Sequence, residues 1–100
     1  MRIRVAPQAR ADLDAIWLYI AREGHGEAAA TRTIASIADK FSLFARFHYI
    51  GKSLASIKRS HVYTFSVGNH LILYSVKPEE IRVLGVIHAG RDALAVFSAD

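Results

Sequence analysis

The strongest constraint on the fold is a change of hydrophobic period partway along the chain. From Pro7 to Arg46 the large apolar side chains recur every three or four residues, the spacing of one face of an α-helix. From His61 to His88 they form short runs that alternate with polar residues or are apolar throughout, the habit of strands. A chain that changes period once segregates its helices from its strands. The fold class that follows is α+β, one helical layer against one mainly antiparallel sheet.

Local chemistry supplies the boundaries. Residues 2–6 (RIRVA) alternate charged and apolar side chains and predict a short strand with Ile3 and Val5 inward. Pro7, with no N–H and a fixed φ, suits the first turn of a helix whose stripe is Leu13, Ile16, Trp17 and Ile20. Asp12 and Asp14 lie off that stripe, near the positive end of the helix dipole. Gly24 is placed to end the helix in the left-handed conformation. A second helix is predicted from about Glu27 to Arg46, with Ala30, Ile34, Ile37, Phe41 and Phe44 on one side. So short a connection folds the two helices into an antiparallel hairpin, and Trp17 and the phenylalanines are read as core rather than as a ligand box.

Residues 47–60, with Gly51, scattered serines and a cluster of bases, read as a long loop. His61 to Val67 and His70 to Val76 flank Gly68 and Asn69, residue types that accept positive φ and predict a tight hairpin. That register pairs Phe65 with Ile72 and Tyr63 with Tyr74 on one face and puts Val62, Thr64, Leu71 and Leu73 on the other. Ile81 to His88 is apolar on both faces except at Arg82 and His88, the pattern of a central strand with the N-terminal strand beside it. The predicted order is βααβββ: an N-terminal strand, an antiparallel helical hairpin and a three-stranded antiparallel meander, in a single domain over residues 1–100.

Composition narrows the function. With 52% apolar and 22% charged residues the chain suits a packed globule. The absence of cysteine excludes disulfides and thiolate metal sites and fits a reducing cytosol. The five histidines (His25, His48, His61, His70 and His88) show no HExxH or similar ligand spacing, so neither a metal nor a cofactor is expected. The N-terminus MRIRVAPQARADL lacks the apolar stretch of a signal peptide, and no long apolar run occurs, so the expectation is a cytoplasmic protein with no membrane partner. GxSxG, P-loop and dinucleotide motifs are missing, and Asp12 and Asp14, two apart on a helix, point in different directions, which disfavours a paired-carboxylate site.

The net charge of +4 is unevenly spread. From Lys40 to Pro78 the chain carries Lys40, Arg46, Lys52, Lys58, Arg59 and Lys77, three of the histidines and no acid. Such a segment projects a positive field suited to nucleic acid or to an acidic protein, and it is equally compatible with an ordinary solvated basic face.

Three segments carry a family resemblance. APQARADLDAIWLYIARE resembles the first helix of ParE-type toxins, with an Ala-Arg-x-Asp-Leu run leading into Ile-Trp and an aromatic residue. FSVGNHLILYSV resembles that family's hairpin, and VLGVIHAGRD its closing strand with a His-x-x-Arg-Asp ending. The matches run in order over essentially the whole chain, and the sequence resembles the ParE/RelE toxin superfamily, within it the ParE-like branch. The resemblance implies a growth-arresting toxin of a type II toxin–antitoxin module, of the kind that stabilises plasmids. Its antitoxin would be ParD-like, a ribbon-helix-helix protein whose C-terminal region wraps the toxin and through which alone operator DNA is met. ParE members are associated with inhibition of DNA gyrase, whereas RelE members cleave messenger RNA in the ribosomal A site.

RNA cleavage without a metal must activate a 2′-hydroxyl, stabilise a pentacoordinate phosphate and protonate the departing oxygen. Aligned on RelE-type enzymes, the sheet-face arginine falls at Leu71, a second arginine at Arg91 and a C-terminal tyrosine at Phe97. Leucine carries no charge and phenylalanine no transferable proton. The nuclease reading therefore rests on Lys52, His88 and Arg91, and His88 also suits a strand-end histidine bonded to backbone. Tyr63, Asn69 and Gly85 stand where ParE members often have basic residues. The reading is a protein inhibitor, with Lys52, Lys58, Arg59, Arg82 and Arg91 offered to the target and Arg59, Arg82, Arg91 and Tyr63 to the antitoxin. Arg91 and Asp92 also suit a structural pair at the strand end.

Overall fold

A computed structural model describes residues 1–54 and 59–88, with the backbone alone at 59 and 60. Strand β1 (Arg2–Val5) leads into helix α1 (Pro7–Ile20), and helix α2 (Gly26–Arg46) is followed by β2 (Lys52–Leu54), β3 (Arg59–Val67), β4 (His70–Val76) and β5 (Glu80–His88). The strands form one sheet in the order β1-β5-β4-β3-β2. The meander β3–β4–β5 is antiparallel and β1 runs parallel to β5, so the sheet is mixed.

The hairpin of helices forms as the sequence implies. Pro7 occupies the first helical turn, and Ala6 ties the entry to the sheet by donating its N–H to the Val83 carbonyl at 2.9 Å. Between the helices the backbone leaves helical geometry at Glu23 and Gly24 and kinks there, with φ of +85° at Gly24, a conformation in which a Cβ would crowd the carbonyl. Across the pair, Trp17 Nε1 donates to Thr31 Oγ1 at 3.1 Å, which fixes the helices side by side and antiparallel.

In the meander the expected register is observed, with Phe65 opposite Ile72, Tyr63 opposite Tyr74 and Gly68 turning the chain at φ +56°. Residues 47–60 depart from expectation: they are not one long loop. Lys52–Leu54 forms an edge strand on β3, and β3 itself starts at Arg59. A three-residue strand with two polar members has no period to read. It forms because β3 presents an unpaired row of amide groups that a passing extended segment satisfies.

The helices cover one face of the sheet. Ala9, Ile37, Phe41 and Phe44 bury against Ile72, Tyr74, Ile81, Val83 and Val86, with Leu13, Ile16, Tyr63, Phe65 and Val67 packed around them. Phe44 stacks on Tyr74 at 4.1 Å between ring centroids and meets Phe65 edge-on at 5.5 Å. On the opposite face Val62, Leu73 and Ile87 are also buried.

One irregularity positions the site. In the β4–β5 pair Leu73 faces Gly85 and Tyr74 faces Val83, leaving Leu84 as the extra residue of a β-bulge. Just beyond it the Val86 N–H turns to helix α1 and donates to Asp12 Oδ2 at 2.9 Å, while Gln8 Nε2 donates to Asp12 Oδ1 at 2.8 Å.

Candidate functional site: a groove and a pinned aromatic loop

Where the tip of the helical hairpin diverges from the sheet, a groove of about 1150 Å³ opens. Ile16, Tyr19 and Ile20 of α1 and Arg32, Thr33 and Ile37 of α2 form its helical wall; the Val67–His70 turn and Val86–His88 form the other. The lining is aliphatic with a few polar groups: Asp12 on the α1 side, His25 and Arg32 on the α2 side, His70 and His88 at the sheet end. Such a concave, mostly apolar surface with polar groups at its margins is the form a peptide or helix docks into.

The two sheet histidines are paired in register and meet edge-to-face, with ring centroids 5.9 Å apart. Partial burial, and then the neighbouring His88, push the His70 imidazole below its ordinary value of 6.5. The linkage has a definite sign. The unfolded chain takes up this proton before the folded one does, so His70's contribution is complete above about pH 6.5 and is lost as pH falls through the lower folded value. Denaturant titrations at pH 7.5 and 5.5 are expected to show wild type weakening on acidification and His70→Gln weakening less; equal losses would exclude His70 as the cause.

At the other end of the helices the chain leaves α2 through residues 47–51, and this segment is pinned from beneath. The Tyr74 hydroxyl donates to the His48 carbonyl at 3.1 Å and accepts the Gly51 N–H at 2.9 Å, and His48 Nε2 lies 2.9 Å from the Ala45 carbonyl. Burial raises the Tyr74 phenol above its ordinary 10.0, keeping the hydroxyl a donor. Gly51 passes so close to β3 that a Cβ there would lie 2.6 Å from the Thr64 carbonyl oxygen, so no other residue fits without moving the backbone.

Among the described residues, those singled out from the sequence do not converge. Lys52 is exposed, opposite Thr64 on the sheet face away from the helices. Arg82 shares that face on β5, but three strand spacings and two residues put it roughly 16 Å away. Its Nε faces Glu80 at 3.5 Å, and Glu80 faces Arg2 at 3.8 Å on its other side. Between Lys52 and Arg82 that face carries Thr64, Val62, Leu73 and Ser75, with Leu71 and Ile87 in the next row beyond Lys52. His88, opposite His70 and in the same pleat as Val86, lies on the helix-covered face. Tyr63 is half-buried on the helix side, stacked on Tyr74 at 5.6 Å and tilted against Tyr49 at 5.6 Å. The backbone of Arg59 pairs with Leu54; Lys58, Arg91, Asp92 and Phe97 fall outside the described residues.

Sequence reasoning missed two features. Along the chain Asp12 reads as an acid near the positive end of the helix dipole and as half of a disfavoured carboxylate pair, and nothing local marks a helical acid as the acceptor for a bulge 74 residues away. The exposed run Phe47, Tyr49 and Ile50 did have a signal: apolar residues continuing past a helix end, with no periodic partner, inside an acid-free stretch. Among the described residues no group of three or more His, Asp or Glu side chains is arranged to hold a metal ion, and no helix is long and apolar enough to cross a membrane.

Comparison with known proteins places this arrangement. In fold, the chain is similar to a toxin–antitoxin structure from P. aeruginosa described as a chromosomal ParDE system, with a TM-score of 0.75 at 22% identity over 88% of this chain and 95% of that one. It is also similar to a structure of the RelBE2 toxin–antitoxin complex of Mycobacterium tuberculosis, with a TM-score of 0.65 at 20% identity over 87% of this chain and 95% of that one. Among curated proteins none matches the sequence significantly. The family model for the ParE toxin of type II toxin–antitoxin systems matches residues 3–93, and the chain belongs to that family.

Proposed function

We propose that the protein is the toxin of a type II module that acts in the bacterial cytoplasm as a protein inhibitor, with DNA gyrase as its target and a ParD-like antitoxin as its neutralising partner. The observation that carries this reading over a nuclease is the dispersal of charge. Acid–base cleavage of RNA needs several polar groups within hydrogen-bond reach of one phosphate. Of the nuclease set, Lys52 and His88 stand on opposite faces of the sheet, and an apolar Leu71 occupies the face Lys52 shares. The test is direct. Purified toxin is expected to inhibit gyrase supercoiling, or to stabilise its cleaved DNA complex, while leaving ribosome-bound messages intact.

A RelE-like ribonuclease is the second reading, favoured by the structural likeness to a RelBE complex and by the family resemblance at His88 and Arg91. It predicts codon-specific cuts in a translating extract, abolished by His88→Ala or Arg91→Ala.

The antitoxin would take the groove. An apolar anchor seated between the helical hairpin and the sheet suits the aliphatic lining, and a longer segment that leaves the groove and wraps the sheet would bring its acids to Arg59, Arg82 or Arg91. Charge steering makes the association rate fall with salt while apolar burial governs dissociation. Binding of the C-terminal peptide from the adjacent ribbon-helix-helix reading frame, measured across salt with Arg59→Glu and Arg91→Glu variants, is expected to show weaker, less salt-dependent association for both. An on-rate indifferent to salt and to both reversals would restrict neutralisation to the helical hairpin.

A further inference from the structure

We infer that the pinned segment Phe47–Lys52 is a preformed docking surface for an acidic protein face, separate from the groove and used for the target; this rests on the protein-inhibitor reading. The side chains are Phe47, Tyr49 and Ile50, exposed to 52, 67 and 44%, flanked by exposed Arg46 and Lys52. Large apolar groups left this open in one short loop are a cost unless a partner covers them. Aromatic residues together with arginine are also the composition that dominates binding energy at protein interfaces.

The segment is held in its exposed form. Tyr74 clamps it at His48 and Gly51, the Tyr49 ring leans on Tyr63, which stacks on Tyr74, which stacks on buried Phe44, and the Arg46 guanidinium lies 5.5 Å from the centre of the Phe47 ring. A stack running from the core to a surface tyrosine means little ordering remains to be done on binding, which is where loop interfaces usually lose affinity. The groove lining includes none of these residues.

Charge complementarity selects the occupant. No acid occurs between Lys40 and Pro78, so the loop and strands β2, β3 and β4 contribute only positive formal charge of their own to an approaching surface. The aliphatic Ile50 beside the two rings fits a pocket in a protein better than the stacked bases of a single-stranded nucleic acid, for which an aliphatic chain offers no platform.

The experiment compares wild type with Phe47→Ser/Tyr49→Ser and with Arg46→Glu/Lys52→Glu, using full-length protein. The altered side chains are exposed, so thermal melts are expected to stay close to wild type and to confirm that each variant is folded. Growth arrest on induced expression and inhibition of purified gyrase are expected to weaken by about thirtyfold or more in both variants, the scale of losing an interface anchor. Binding of the antitoxin peptide is expected to be retained. Arrest that requires the loop without any effect on gyrase would keep this surface and remove gyrase as the target. Full potency in both variants would overturn the proposal, as would loss of antitoxin binding alone or Tyr49-dependent binding of a labelled oligouridylate. A wild type that neither arrests growth nor touches gyrase would overturn the surface and the inhibitor reading together.

Discussion

Phe44→Ala is expected to lower the stability of the free protein by about 3–5 kcal/mol, the range for deleting a fully buried phenylalanine. Phe44 is completely buried, and its ring is the junction where helix α2 meets the sheet, stacked on Tyr74 and edge-on to Phe65. Alanine removes the transfer energy of the ring and leaves a void between layers that a five-stranded sheet cannot close by collapsing inward. It also removes the lateral support of Tyr74, whose hydroxyl holds residues 48–51. Against a total stability of roughly 5–15 kcal/mol for a domain of this kind, such a loss removes from about a fifth to all of it. Urea denaturation should show a much lower midpoint with an unchanged slope. Phe44→Leu, which keeps most of the volume, is expected to cost about half as much or less. A loss under about 1 kcal/mol for the alanine variant would mean that the helical layer is not anchored through this ring.

Asp12→Ala is expected to cost about 1.5–3 kcal/mol, the worth of a hydrogen bond to a charged acceptor whose loss strands its donor. The Val86 N–H sits beside the β4–β5 bulge and points to Asp12 rather than across the sheet. With alanine at 12 this amide has no acceptor in the sheet, and the anchoring of α1 to β5 at that point is gone. Gly85 is part of the same arrangement, because a Cβ there would stand 3.1 Å from Asp12 Oδ2 and press the carboxylate away from Val86. Asp12→Asn keeps an oxygen acceptor and is expected to lose less than alanine does. Hydrogen exchange gives the specific readout: the Val86 amide should exchange faster in Asp12→Ala, while amides of the β3–β4 hairpin keep their protection until global unfolding. Unchanged exchange at Val86 would exclude the bond as a stabilising contact.

The surfaces proposed above for antitoxin and for target lie apart on the chain. The groove at the hairpin tip is aliphatic and lined by both layers, whereas the aromatic loop sits at the far end of α2. An inhibitor neutralised at one surface and acting through another can be blocked by antitoxin without direct competition, through coverage or through a shift of the helical hairpin.

Periodicity by itself determined most of the layout. Leu13, Ile16, Ile37, Phe41 and Phe44 lie against the sheet because helical spacing leaves them one face, and Tyr63, Phe65, Ile72 and Tyr74 share the opposing face because strand spacing and a two-residue turn allow one register. Gly24 ended the first helix where only a left-handed residue is tolerated. Local patterns such as these are written into a few neighbouring residues and need no knowledge of the rest. The tertiary structure decided what depends on distant partners. Lys52–Leu54 becomes a strand because β3 offers an open edge, Asp12 becomes structural because a bulge turns an amide toward it, and Phe47, Tyr49 and Ile50 stay exposed because Tyr74 holds their backbone in place. It also decided that Lys52, Arg82 and His88, equal candidates along the chain, are distributed over two faces and opposite sides of the sheet. Spacing in sequence fixes which face of its own element a residue occupies, but the distance between faces is set only when the elements pack.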